Sequence, residues 1–143
     1  MSDFPDDFGM QIFSQFGPYQ KAAAADNITG VATVDVLTVT GKGKTYGGYM
    51  RLVKTGGTWD LNMALVIDGE TTGYFTPKTL LDWAADTKNM PMAIGRYDIA
   101  ADEIVVLFQS DITFGLTYTV RLQALAGAGP ISYSIAVFYA QII

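Results

Sequence analysis

From Trp59 to Ile67 the chain alternates: Trp59, Leu61, Met63, Leu65 and Ile67 fall on one face, and Asp60, Asn62 and Ala64 on the other. A period of two predicts a β-strand with one face on a core. Asp68-Gly69 follows, the pair a tight hairpin turn prefers because glycine accepts a positive φ without a Cβ clash. The same alternation returns later, with Tyr118, Val120, Leu122 and Ala124 against Thr117, Thr119, Arg121 and Gln123, the pattern of a half-buried antiparallel strand. Val34, Val36 and Val39 mark the first convincing strand, after an alanine run at Ala22 to Ala25 and the turn-like Asp26 and Asn27. GKGK at 41–44 and TGG at 55–57 are turn signals, and TYGGYMRLV at 45–53 is a strand whose glycine pair marks a bulge. Further strands are expected at AIGRYDI, EIVVLFQ (103–109) and DITF (111–114), with a turn at Ala101 and Asp102. The closing SYSIAVFYAQII has strand formers on both faces, which predicts a central strand covered on both sides.

One short helix is expected, where Thr76 caps, Pro77 takes the first helical position and Leu80, Leu81 and Ala84 give an apolar side. It would close one end of a sheet or cross between two sheets. Many short strands with a single helix predict an all-β fold: an antiparallel β-sandwich of the jelly-roll or Greek-key kind over residues 30–143.

Residues 1–29 break the pattern and are assigned as an extended N-terminal arm. Phe4, Phe8, Phe13 and Phe16 are half of the eight phenylalanines, yet Pro5, Gly9, Gly17 and Pro18 interrupt any long helix there. Phe4, Phe8, Ile12, Phe13, Phe16 and Tyr19 are therefore candidate partner-binding residues, anchors that need burial elsewhere. Two destinations fit: an open edge of the chain's own sandwich, or a groove on a neighbouring subunit, where each aromatic contributes on the order of 2 kcal/mol. An aromatic-rich segment is a poor composition for a disordered tail.

Composition narrows the chemistry. The 143 residues suit one domain with one core, and no disulfide or thiolate chemistry is open because cysteine is absent. Histidine is absent too, removing the usual general base near neutral pH and the commonest transition-metal ligand. The expectation is a non-enzyme with no cofactor. A net charge of −5, with Lys and Arg scattered, disfavours direct nucleic-acid or anionic-membrane binding. No apolar run reaches membrane-spanning length and the acidic start is unlike a secretory signal, so a soluble chain is expected. Half the residues are hydrophobic and 16% charged, a surplus of apolar surface that hints at assembly.

Three constellations were candidates for chemistry. TVTGKGKT at 38–45 ends like a phosphate-binding loop, but its first glycine position is Thr38 and a strand follows where a helix is required. Asp98, Asp102 and Glu103, with Asp68 and Glu70, offer oxygen ligands or a carboxylate pair without the spacing of any known ligand loop, and suit solvated turns better. Trp59 and Trp83 could stack on sugar rings, though the register of Trp59 with Leu61 points to the core and Trp83 suits pinning the helix.

LTYTVRLQALAGAGPISYSIAVFYAQII resembles the closing hairpin of viral and TNF/C1q-like jelly rolls, and GKGKTYGGYMRLVKTGGTWDLNMALVIDGE resembles the hairpin succession of small bacteriophage virion proteins. The resemblance covers Val31 to Ile143 in pattern and implies a role, with no specific residue carried over. That role is a capsid decoration or cement protein, or a tail, fibre or receptor-binding component, within a virion assembled in the host cytoplasm. Its implied partners are other virion proteins, a major capsid protein or tail proteins, and copies of itself, often as a trimer. A carbohydrate-binding sandwich is the alternative outside that class.

Overall fold

The computed structural model describes residues 16–82 and 90–142, and among these nine strands form two antiparallel sheets. The five-stranded sheet runs, edge to edge, β1 (Gln20–Ile28), β9 (Ile131–Gln141), β3 (Gly43–Lys54), β7 (Glu103–Phe114), β6 (Met92–Asp98). The four-stranded sheet runs β2 (Ala32–Thr40), β8 (Thr117–Ala124), β4 (Leu61–Ile67), β5 (Glu70–Thr71). Partners nest: β1 pairs with β9, β2 with β8, β3 with β7, and β4 with β5. A long antiparallel hairpin rolled into two layers gives that nesting, so the sandwich is a jelly roll, with β6 added beyond β7.

The inner faces close on each other as the alternation predicts. Leu61, Met63 and Leu65 from β4 and Tyr118, Val120 and Leu122 from β8 meet Met50, Leu52, Ile104, Val106, Ile135 and Val137 from the other sheet, all 1% exposed or less. Trp59 stands just ahead of β4, half-buried against this core. The Tyr118 hydroxyl is enclosed with no hydrogen-bond partner among the described residues, and burial pushes its phenol pKa up.

Local signals hold where their chemistry is local. Asp68 and Gly69 both take positive φ, 53° and 84°, in the turn between β4 and β5. Thr76 caps α1 (Pro77–Asp82), its Oγ1 accepting the Thr79 N–H at 3.1 Å. The helix lies on the crossover from the four-stranded to the five-stranded sheet, burying Leu80 and leaving Leu81 37% exposed. Ala84 and Trp83 lie outside the described residues.

Four boundaries differ from the sequence reading. Ala22 to Ala25, unassigned by propensity, are mid-strand in β1 and pair with Ser134 to Val137. Alanine is a weak strand former, but Ala22 and Ala24 pack on the core and the ladder to β9 supplies the hydrogen bonds. The segment assigned as an arm to residue 29 thus contains a sheet strand. Gly43 and Lys44 open β3 instead of closing a turn. EIVVLFQ and DITF are one strand, β7, with a bulge that sets Asp111, at φ 64°, and Ile112 together opposite Thr45, whose Oγ1 accepts the Ile112 N–H at 3.2 Å. β9 is central as expected, but on its outer face burial is confined to Ala136 and Ala140, while Ser132 and Ser134 are exposed.

Candidate assembly surface

Residues directly opposite one another across a sheet share a face, so the pairing register maps the outer surface of the five-stranded sheet. One row crosses all five strands: Ala23, Ala136, Tyr49, Leu107 and Ala93. It is wholly apolar apart from the Tyr49 hydroxyl, and Tyr49 and Leu107 are 44% and 47% exposed. On one side lies a mixed row with Ser134, Arg51 and Val105. There Arg51 meets Glu103 at 2.7 Å, and Arg96 reaches Asp98 at 3.2 Å.

The row on the other side is aromatic, and a bulge makes it so. Thr45 and Gly48 pair with Tyr139 and Val137, leaving Tyr46 and Gly47 together opposite Phe138. Gly47 takes φ 98° at the bulge, and a Cβ on Gly48 would collide with the Ala136 carbonyl oxygen, so both glycines are required. Tyr46 consequently turns outward beside Phe138. Tyr19 packs over both, its ring centroid 5.8 Å from Phe138 in a stacked arrangement and 5.3 Å from Tyr46. Lys44 Nζ lies 5.7 Å from the Tyr46 centroid and 3.0 Å from Asp111, and Lys21 stands opposite Phe138.

Of the six anchors named from the sequence, the structure describes two. Tyr19 is 61% exposed on this aromatic face. Phe16, half-buried, bridges to Ile142, and the neighbouring Gly17 N–H donates to the Gln141 carbonyl at 2.6 Å. Phe4, Phe8, Ile12 and Phe13 lie outside the described residues. Tyr46, Tyr49, Leu107 and Phe138 were missed in the sequence. The signal available for Tyr49 was its phase: it alternates with Met50 and Leu52, hence shares the outward face with Arg51.

Elsewhere the candidate chemistry disperses. Asp102 pairs with Lys54 at 3.0 Å, and Glu103 is taken by Arg51 and Arg96. Among the described residues no group of three or more His, Cys, Asp or Glu is placed to hold a metal ion. Asp68 acts as a clasp: its carboxylate accepts the backbone N–H groups of Gly115, Leu116 and Thr117 at 2.6 to 3.0 Å. Those bonds hold its pKa below the ordinary carboxylate range, Gly115 contributing most. A shallow cleft beside α1 is lined by Trp59, Thr76, Pro77, Leu81 and Tyr97, with the Lys78–Asp82 ion pair at its rim. Among the described residues no helix is long and apolar enough to cross a membrane.

No family profile and no curated protein matches the chain. Among solved structures it is similar to a chain of the cyanophage Pam1 capsid asymmetric unit, with a TM-score of 0.53 and 15% identity over 88% of this chain and 86% of that one. The catalytic domain of a GH87 α-1,3-glucanase bound to nigerose gives a TM-score of 0.35 at 11% identity, over 88% of this chain and 28% of that one. Desmodium yellow mottle tymovirus gives 0.30 at 12% identity, over 89% and 90%. The capsid likeness supports the jelly-roll fold; the other two are too low to carry an argument.

Proposed function

We propose that this chain is a virion structural protein, a small capsid decoration or cement subunit that binds its neighbours and stabilises the particle. The observation that carries the reading is the outer face of the five-stranded sheet, where Tyr19, Tyr46, Tyr49 and Leu107 stand 40% exposed or more beside the point where the aromatic arm joins the fold. A surface of that kind suits a protein that works assembled. The fold likeness supports it, because it spans nearly all of both chains and the similar chain belongs to a capsid asymmetric unit. The arm anchors Phe4, Phe8, Ile12, Phe13, Phe16 and Tyr19 contact neighbouring subunits, other virion proteins or copies of this chain, in the head or in a tail, fibre or receptor-binding part, and assembly in the host cytoplasm needs no reaction chemistry of this chain. The test is to fractionate source material by size and quantify this chain by peptide mass spectrometry. Co-migration with megadalton particles at a fixed copy ratio to the major particle protein is expected; a small free species sinks the reading.

A carbohydrate-binding sandwich is favoured by one feature, the cleft that sets Trp59 and Tyr97 near the polar rim of α1. Glycan-array binding that Trp59→Ala abolishes would support it, and a blank array removes it.

A further inference from the structure

The outer apolar row crosses five strands, and its two large side chains, Tyr49 and Leu107, stand 44% and 47% exposed. We infer that it is the acceptor for residues 1–15 of a neighbouring copy of this chain, an exchange of arms that rests on the assembly reading above. Three observations select this occupant.

The first is chemical. Residues 1–15 bring Phe4, Phe8, Ile12 and Phe13, and the row offers an aromatic ring and a leucine flanked by small alanines: Ala136 and Ala23 on one side of Tyr49, Ala93 beyond Leu107. Ala136 is itself buried, but exposed Ala23 and half-buried Ala93 lie low at the two edges of the row, and Tyr49 and Leu107 between them offer apolar area that rings can cover. The second is charge. The same fifteen residues carry Asp3, Asp6 and Asp7 with no Lys or Arg, while Lys21 and Lys44 border the aromatic row and Arg51 the opposite one. Lys44 and Arg51 already pair with Asp111 and Glu103, so the attraction of an acidic arm rests chiefly on Lys21, and it fixes the register of docking more than it adds affinity.

The third is direction, and it chooses a neighbour over the chain's own sheet. β1 runs antiparallel to β9, and Phe16 bridges to Ile142, beyond the Gln20–Tyr139 pair that opens the ladder. Phe16 therefore stands at the end of the sheet beside the β9 terminus, beyond the last ladder pair and apart from the Ala23-to-Ala93 row. Covering its own row requires a reversal; reaching a neighbour's row requires only continuing, and fifteen residues span at most about 50 Å.

The experiment uses the full chain with Phe8 replaced by the photoreactive p-benzoylphenylalanine, in an equal mixture of heavy-isotope-labelled and unlabelled copies. After irradiation and trypsin, cross-links should join a labelled to an unlabelled copy and land on the peptide 45–51, which holds Tyr46 and Tyr49, or within the peptide 97–121 at Leu107 and its β7 neighbours, located by fragmentation because that peptide also carries residues 117–121 of β8. Tyr49→Asp with Leu107→Asp should cut that yield about tenfold, the effect of losing roughly 1.4 kcal/mol of docking free energy. Lys21→Glu, outside the apolar row, provides a milder second variant that should lower it in the same direction. Cross-links confined to single copies, landing on the four-stranded sheet, or absent would each overturn the arm exchange. Those outcomes leave the virion reading standing, since it falls only on the particle fractionation.

Discussion

On the outside of the four-stranded sheet, facing side chains satisfy one another: Arg121 Nε donates to Asp35 at 2.7 Å, Thr38 and Thr119 hydroxyls meet at 3.2 Å, and Asn62 donates to Gln123 at 3.0 Å. On the outside of the five-stranded sheet the corresponding central row is alanine, tyrosine and leucine. Both faces belong to antiparallel ladders, and the central row itself runs unbroken across all five strands, so backbone pairing by itself does not explain the difference. A face whose polar groups already have partners gains little from contact with another protein, because each new bond replaces one that exists. A face of exposed rings gains from every area it removes from water. The sandwich thus has one outer face whose polar groups satisfy one another and one that leaves rings and leucine open to water.

The comparison can be broken at its foundation. Gly48→Val forces a side chain into the Ala136 carbonyl where β3 and β9 approach, and should cost about 3 kcal/mol or more in urea unfolding, with loss of the Tyr46 bulge and of arm docking together. An unchanged midpoint would mean that the close approach of β3 and β9 is not needed. Smaller effects separate the faces. Tyr118→Phe removes the enclosed orphan hydroxyl and should raise stability by up to about 1 kcal/mol without altering either surface. Arg121→Met on the polar face should lower stability by about 0.5 to 1 kcal/mol and leave the photo-cross-link to Thr45–Arg51 unchanged. A drop in cross-linking there would place the arm on the wrong sheet.

The smallest effect is a pH dependence at the Asp68 clasp. Its pKa is depressed in the folded state by the Gly115, Leu116 and Thr117 N–H groups, so its contribution is present above the ordinary carboxylate pKa and is lost as pH falls through the folded value. Asp98 follows the same sign, held down first by the Ala101 N–H and then by Arg96. Asp68→Asn tolerates the positive φ yet carries no charge. Its melting temperature should lie below that of the parent at neutral pH and converge with it in acid; a gap that persists in acid would assign the clasp to shape instead of charge.

Where the sequence sufficed, the determining chemistry lay within a few residues. The alternation of β4 and β8, the Asp68-Gly69 turn, the Thr76-Pro77 helix start and the glycine-marked bulge in β3 each depend on local geometry, and from them the all-β sandwich follows. Absence of cysteine and histidine narrowed the chemistry equally directly. Tertiary structure alone decided what depends on distant partners. Ala22 to Ala25 become a strand because β9, more than a hundred residues later, supplies the ladder. EIVVLFQ and DITF join because Thr45 bridges their irregularity. Tyr19, Tyr46 and Phe138 become one aromatic cluster only when β1, β3 and β9 lie side by side. Periodicity tells which residues share a face of one strand; only the strand order tells which faces become one surface.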